Sequence, residues 1–377
     1  MAKVWQRVGI ASALVLAAYL GGPDTAGAQA VQQRGAPAIA LPGSGAVSSY
    51  SSPAIAPAGA PVAGQNWPGM VRAAGVYALY RDDVRRAAAV QPVSAEDLER
   101  LLTRLAGYDG ARLSLAFRAH AVMLAMQSPA FAAGVQQWGH AYDRRAIIAN
   151  LRSNSAYANR IPGYQQAVTR ILEAARDDAA TIHLAGGIYK DLAYSLQHKR
   201  WALKVRRGKS LLLAAVHNAA NDPPPPPAAM LRMVQQDYAR SLRLQSPPAS
   251  QMASAGASGG AKLSPLLRSI GPGPAQAARA EPMAAGPALK INPAHVGDVQ
   301  DMVASAAVHM LDHSAPFPDR LSQRRGADSF AECVDWARMH LNQCVAATHA
   351  VYETSFCIAE HQLKDTASCL AGFAVSR

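Results

Sequence analysis

The chain has 377 residues and a formal net charge of +12, and half of its residues are hydrophobic although only 6% are aromatic. This length allows one large or two small domains. Alanine alone contributes 80 residues, and such an aromatic-poor composition argues against a β-sandwich or a large α/β enzyme core. The composition predicts an all-α protein.

The first 28 residues have the pattern of a secretory signal peptide. Lys3 and Arg7 precede an apolar run of 13 residues that ends at Leu20, and Ala28 closes a small-residue cleavage site. The run is short for the roughly 30 Å of a bilayer's hydrocarbon core, so an uncleaved anchor is the weaker alternative. We therefore predict residues 1–28 as a signal peptide, a periplasmic or extracellular location, and a mature chain without a transmembrane span.

Composition divides the remaining chain into four parts. Residues 29–66 are rich in Ala, Pro, Gly and Ser, which predicts a disordered tether. Residues 67–221 are predicted as a basic helical domain. Residues 222–294 form a Pro/Ala/Gly-rich linker with room for one short helix from Ala228 to Leu244. Residues 295–377 are predicted as an acidic helical module, and the sequence leaves open whether the two helical parts pack together.

Charge differs between the two helical parts. Residues 68–222 carry 21 Lys or Arg against 12 Asp or Glu, whereas residues 295–377 carry 6 against 10. A basic front and an acidic back indicate modules with different partners, or modules that attract each other.

Apolar residues recur at helical spacing throughout the first helical part. Ser94 and Asp97 fit a capping pair in front of a leucine stripe. A long helical pattern runs from Tyr164 to about Val205, and Gly186-Gly187 is predicted as its break.

All four cysteines lie in the last 45 residues, in a stretch without Gly or Pro that predicts a helical hairpin. An even number of cysteines in a short segment of an exported chain favours disulfides. Cys333 and Cys344 in one helix would be about 16 Å apart, beyond the roughly 7 Å limit. Facing residues of an antiparallel hairpin have nearly constant sums of residue numbers, which selects Cys333–Cys369 and Cys344–Cys357 over the crossed pairing.

The nested arrangement resembles, in topology, the twin-cysteine helical hairpins of the coiled-coil-helix-coiled-coil-helix type. Those hairpins have nine residues between the cysteines of each helix, whereas this chain has ten and eleven. The resemblance covers fewer than 50 residues and implies the hairpin only, with no function carried over.

The same region allows a zinc site as an alternative. His340 lies four residues before Cys344 and His361 four residues after Cys357, so the two histidines are expected to face each other beside the inner cysteine pair. Two cysteines and two histidines form a tetrahedral zinc site in many proteins. Because disulfides are the commoner outcome in an oxidising compartment, we predict two oxidised pairs and no cofactor, with zinc as the alternative.

His309 and His313 form a second pair of histidines, one helical turn apart, and Asp312 lies between them in the sequence. Two histidines at this spacing can share a metal ion. A hydrolytic zinc motif has a glutamate directly after the first histidine, but Met310 stands there, which argues against a metalloprotease. The alternative is a solvated acidic helix face that includes Asp298, Asp301 and Ser305.

The stretch from His198 to Lys209 is the most strongly charged segment of the chain. Its cations are Lys199, Arg200, Lys204, Arg206, Arg207 and Lys209. Taken as a helix, it carries Arg200 and Lys204 on one stripe beside Trp201, and such a basic amphipathic helix can lie on an anionic surface. A solvated helix end is the alternative, and nucleic acid is not the expected partner because exported proteins rarely meet it.

The sequence has no phosphate-binding loop and no dinucleotide fingerprint. Its one Gly-x-Ser-x-Gly match, residues 256–260, lies in the Pro/Ala/Gly-rich linker and not between a strand and a helix, so no nucleophile elbow is expected there. We therefore predict an exported, non-enzymatic cell-envelope protein with a binding or scaffolding role, whose partner is an anionic envelope surface or a protein. The alternative is a metal-binding protein or metal-dependent hydrolase that uses the C-terminal His, Cys and Asp residues.

Overall fold

Helices make up most of the chain that the structure describes. The computed structural model describes residues 67–205, 208–243, 289–319, 321 and 329–375, and the sheet within these ranges has two strands of two residues each. The prediction of an all-α fold is confirmed. The predicted signal peptide, the tether and most of the linker lie outside the described residues.

The first part of the described chain is a series of helices. They are α1 (Gly69–Ala89), α2 (Ala95–Ala106), α3 (Gly110–Met126), α4 (Pro129–Ala141), α5 (Arg144–Ser153), a 3-10 helix (Ser155–Arg160), α6 (Tyr164–Leu196), α7 (Lys209–Asn218) and α8 (Ala228–Arg243). The predicted capping pair is confirmed, since Ser94 and Asp97 each accept a hydrogen bond from the other's backbone N–H. Among the described helices, none combines the length and the apolar character that a membrane crossing needs.

The C-terminal part begins and ends in the same two-stranded sheet. Its elements are β1 (Lys290–Ile291), a 3-10 helix (Pro293–His295), α9 (Val296–Leu311), α10 (Ser329–Ala347), α11 (Glu353–Cys357), a π-helical segment (Ile358–Lys364), α12 (Asp365–Ala371) and β2 (Ala374–Val375). The strands pair antiparallel, with Lys290 opposite Val375.

The two parts share one hydrophobic core. Helix α9 is buried from Asp298 to Met310 with one exception and packs against α3, α4, α5 and α6. The ring of Phe117 on α3 lies 5.6 Å from that of Phe330 and 5.1 Å from that of Phe373. All described residues belong to one compact unit, so the two helical parts do pack together. The predicted domain boundaries, at residues 221 and 295, stay a prediction.

A buried ion pair joins α3 to α9. The Arg118 guanidinium contacts the Asp298 carboxylate, and both side chains are about 5% exposed. Asp301, one turn further along α9, is 6% exposed. The prediction of a solvated acidic face is therefore wrong: α3 covers this side of α9, and Arg118 supplies a cation that makes burial of a carboxylate feasible.

Helix α6 continues without a break through Gly186-Gly187, contrary to the prediction. A Cβ at Gly186 would lie 2.6 Å from Lys364 Cγ and 3.0 Å from the Ala359 carbonyl oxygen. Glycine at this position therefore permits α6 to approach the π-helical segment closely, which is a packing role rather than a helix stop.

Residues 198–205 of the basic stretch are not helical, contrary to the prediction, and Lys209 at the end of the stretch is the first residue of α7. Helix α6 ends at Leu196, and residues 197–205 form turns. The carbonyl oxygens of Ala202 and Lys204 accept hydrogen bonds from the backbone N–H groups of Tyr352 and Val351 at 3.1 and 3.3 Å. These tertiary bonds occupy carbonyl groups that a continued helix would use internally.

Candidate functional site

Two nested disulfides fix the C-terminal hairpin. Cys333 is bonded to Cys369 and Cys344 to Cys357, each with Cα atoms 5.7 Å apart, so the predicted pairing is confirmed. Because the sulfurs of Cys344 and Cys357 are bonded to each other, they are not thiolate ligands, and the four-ligand zinc site considered above does not form.

Two imidazole rings face each other between these disulfides, as the spacing predicts. The ring centroids of His340 and His361 are 5.7 Å apart. The Asp365 carboxylate joins them, with its Oδ2 at 2.9 Å from His361 Nδ1 and 3.7 Å from His340 Nδ1. In the part of the chain that the structure describes, these three side chains are the one group whose ligand atoms lie close enough to hold a metal ion.

Sequence reasoning missed Asp365, although a signal was present. Asp365 lies four residues after His361 and four residues before Cys369, the same spacing that placed the histidines. Extending the helical pattern by one turn would have included it.

Disulfides hold the backbone on both sides of this group, which we call the His/Asp cluster (His340, His361 and Asp365). Cys344 lies one turn after His340 on its helix, and Cys369 lies one turn after Asp365. The two crosslinks therefore fix the separation of the two helices above and below the three side chains.

The cluster is open to solvent. The side chains of His340, His361 and Asp365 are 47%, 26% and 40% exposed. The exposed Trp336 lies one turn before His340, with its ring centroid 6.2 Å from that of the imidazole. A small ligand or ion reaches these atoms from solvent without a movement of the fold.

The neighbouring carboxylate, that of Glu360, forms ion pairs with two lysines. Lys190 and Lys364 each place their Nζ 2.9 Å from Glu360 Oε1. Partial burial acts to raise the pKa of Glu360, but the two ammonium groups outweigh it and lower that pKa. Glu360 therefore serves an ion-pair network that links α6 to the π-helical segment.

The structure does not give His309 and His313 the helical geometry that the sequence predicts. Helix α9 ends at Leu311, and the Asp312 carboxylate accepts hydrogen bonds from the Ser314 backbone N–H and hydroxyl. His309 is 1% exposed, whereas His313 is exposed. The turn at Asp312 therefore removes the one-turn spacing on which a shared metal ion depends.

A Ser–His–Asp group is present but does not have the geometry of a catalytic triad. Ser329 Oγ lies 2.9 Å from His295 Nδ1, and Asp298 Oδ2 lies 3.2 Å from the same nitrogen. A triad needs the serine and the carboxylate on opposite ring nitrogens. The group instead extends the buried polar contacts of the Arg118–Asp298 ion pair.

The segment 197–211, which we call the basic segment, exposes both cationic and apolar side chains. Lys199, Arg200 and Lys204 are exposed. Three apolar side chains of the segment are exposed as well: Leu203 at 52%, Val205 at 78% and Leu211 at 76%.

The body of the basic segment is anchored to the fold. Ala202 is fully buried and Trp201 packs against the core. Lys209 begins α7, and its Nζ donates a hydrogen bond of 3.4 Å to the Ala346 carbonyl oxygen. Arg206 and Arg207, also predicted to bind an anionic surface, lie outside the described residues. In the described residues of the segment, cationic and apolar side chains thus project from a backbone that is anchored to the fold.

Comparison of the chain with protein-family models, with curated proteins and with solved structures gives no match. The functional assignment therefore depends on the chain's own geometry.

Proposed function

We propose that this protein is an exported, non-enzymatic protein of the cell envelope that docks on an anionic lipid surface through its basic segment. Export is supported by the two disulfides, since such bonds form and persist in oxidising compartments. The signal-peptide pattern of residues 1–28 points the same way.

One observation carries the docking proposal: exposed cations and exposed large apolar side chains alternate in the same segment. Lys204 lies between Leu203 and Val205, and all three are exposed. Lipid headgroups attract the ammonium groups, and the acyl boundary below them accepts apolar side chains. Each Lys or Arg near an anionic leaflet contributes about 1 kcal/mol of attraction.

The apolar side chains favour lipid over a soluble anionic polymer. A polyanion needs only cations, and the exposure of Leu203, Val205 and Leu211 would serve no purpose in binding it. A bilayer uses both kinds of side chain. The anchoring of Ala202 and Trp201 adds to this, because a pre-ordered segment loses less conformational entropy on docking.

The test is sedimentation of the full chain, with its cysteines oxidised, with vesicles of phosphatidylcholine alone or with added phosphatidylglycerol. We expect binding to the anionic vesicles that weakens as salt rises. The variant Lys199→Glu/Arg200→Glu/Lys204→Glu should lose at least tenfold in affinity, on the order of 1.4 kcal/mol. At high salt, the binding that the parent retains should be weaker in the variant Leu203→Ser/Val205→Ser/Leu211→Ser.

A matched control changes net charge by the same amount outside the segment. Arg72, Arg145 and Arg232 are exposed on other helices, and their joint replacement by glutamate should leave vesicle binding nearly unchanged. An equal loss in both charge variants would show a nonspecific charge effect and overturn the proposal. Binding to a soluble polyanion but not to anionic vesicles would overturn the assignment of lipid.

A further inference from the structure

We propose that the His/Asp cluster binds a divalent transition-metal ion of the zinc and copper class. The ion forms a third crosslink between α10 and the continuous helical run of α11, the π-helical segment and α12, which we call the C-terminal helix. The inference is independent of lipid docking, because it depends on different residues. Neither cysteine pair takes part as a ligand.

The donor set selects the class of metal. Imidazole nitrogens suit zinc and copper, whereas magnesium and calcium prefer sites built from oxygen atoms alone. Two imidazoles and one carboxylate therefore favour a borderline transition-metal ion over the alkaline-earth ions.

The two distances from Asp365 to the imidazoles fit such an ion. A zinc or copper ion sits about 2.0–2.2 Å from imidazole nitrogen and carboxylate oxygen. Asp365 Oδ2 lies 2.9 Å from His361 Nδ1 and 3.7 Å from His340 Nδ1. If an ion lay at the stated bond length from all three atoms, the shorter separation would give a ligand–metal–ligand angle below the tetrahedral value and the longer one an angle above it. Small side-chain rotations would then equalise them.

The present contacts leave part of the cluster unexplained by hydrogen bonding. His361 Nδ1 is at hydrogen-bond distance from Asp365, but His340 Nδ1 at 3.7 Å is not. Nδ1 of the second imidazole nevertheless lies within ion-pair distance of the same carboxylate oxygen. A shared ion accounts for both rings, whereas a simple His361–Asp365 hydrogen bond accounts for one.

The fold prepares the cluster for binding. Disulfides lie on each side of it, so the backbones that carry His340 and Asp365 are fixed before a metal arrives. Ligands held on rigid elements bind with less loss of conformational entropy. His361 lies in the π-helical segment, and π-helical turns within α-helices often occur at functional positions.

Three protein ligands leave coordination positions open towards solvent. The 26–47% exposure of the three side chains places water next to the ion. This is the arrangement of an open site rather than of a closed structural one.

The test uses the full chain with all cysteines oxidised, which a thiol assay on denatured protein verifies. Titration calorimetry with Zn²⁺ should show one saturable site and no comparable site for Mg²⁺. With Cu²⁺, the electron paramagnetic resonance spectrum should show two nitrogen ligands. The variants His340→Gln, His361→Gln and Asp365→Asn should each weaken Zn²⁺ binding at least tenfold, and the two histidine variants should each remove one nitrogen from the copper spectrum.

The control variant is His349→Gln, since His349 is an exposed histidine of the same hairpin. It should bind Zn²⁺ as the parent does and give an unchanged copper spectrum. Absence of saturable Zn²⁺ binding to the oxidised chain would overturn the proposal. So would equal binding by the parent and the cluster variants, because surface histidines elsewhere would then be the ligands.

Discussion

The imidazole of His120 lies against the ring of Tyr77, with ring centroids 5.0 Å apart, and its Nε2 is buried. Burial, assisted by the Arg81 cation, lowers the pKa of His120 to about 3. The unfolded chain, with a histidine pKa near 6.5, then binds this proton more readily than the native protein.

Acid should therefore destabilise the fold through His120. Between about pH 6.5 and pH 3 the unfolded state binds more protons, so the free energy of unfolding falls as pH falls, by up to about 1.4 kcal/mol per pH unit for this one group. The variant His120→Phe keeps a ring beside Tyr77 and cannot titrate. Denaturant titrations at several pH values should show a shallower loss of stability in this variant than in the parent.

The matched control is an exposed histidine on α6. His183 is exposed, so His183→Phe should leave the pH slope as it is in the parent. Parallel slopes for the parent and His120→Phe would mean that His120 has the same proton affinity in both states, contrary to the prediction.

Residue numbers alone were sufficient to place several side chains. The spacing of the cysteines and of His340 and His361 depends only on two helices running antiparallel, so the disulfides and the facing imidazoles could be predicted. The burial of Asp298 could not, because it depends on Arg118, which lies 180 residues earlier in the chain. Local patterns carry no information about such a distant counter-charge.

At the scale of elements, replacing Gly186 or the adjacent Gly187 of α6 by alanine should change the free energy of unfolding in opposite directions. A Cβ at Gly186 would meet Lys364 Cγ and the Ala359 carbonyl oxygen, whereas a Cβ at Gly187 would meet nothing within 4 Å. Gly186→Ala should destabilise the fold by about 1–3 kcal/mol through overpacking. Gly187→Ala should stabilise it by about 0.5–1 kcal/mol, since alanine is the better helix former.

Chemical denaturation of the two variants beside the parent checks this prediction. Each variant is the other's control, because both make the same substitution in the same helix. Equal effects of the two substitutions would show that α6 does not approach the π-helical segment as closely as described.

The π-helical segment also explains how unequal cysteine spacings fit one hairpin. Ten residues separate the cysteines on α10 and eleven separate those on the C-terminal helix. A π-helical turn takes more residues than an α-helical turn, so the segment Ile358–Lys364 absorbs the additional residue and keeps both disulfides in register.

Helix existence was predictable at this scale, but helix ends were less so. Apolar periodicity and the capping pair located most helices. Helix α6 ends at Leu196, and beyond it Val351 and Tyr352 donate hydrogen bonds to carbonyl groups of the basic segment. These bonds are tertiary contacts, so periodicity predicted a helix where the structure has turns.

At the scale of the whole molecule, the Arg118–Asp298 ion pair links the two parts of the chain through their shared core. Removing one partner leaves the other charge buried without this ion pair. Arg118→Met or Asp298→Asn should each lower the free energy of unfolding by about 3–5 kcal/mol, and the double variant should recover much of that loss.

Urea denaturation of the two single variants and the double variant measures this coupling. The exposed pair Arg176–Asp177 is the control: its side chains are 48% and 68% exposed, so Asp177→Asn should change stability by less than about 1 kcal/mol. If the double variant is as unstable as the sum of the two single variants, the buried pair is not coupled in the way proposed.

The nesting of the disulfides has a consequence for biosynthesis. A chain that crosses a membrane with its N-terminus first delivers Cys333 and Cys344 to the oxidising side before either native partner. In the proposed export, the first two thiols to arrive are therefore a non-native pair, and the formation of α10 holds them about 16 Å apart. A cell that exports this chain must let α10 fold before oxidation, or must supply an isomerase that undoes the premature bond.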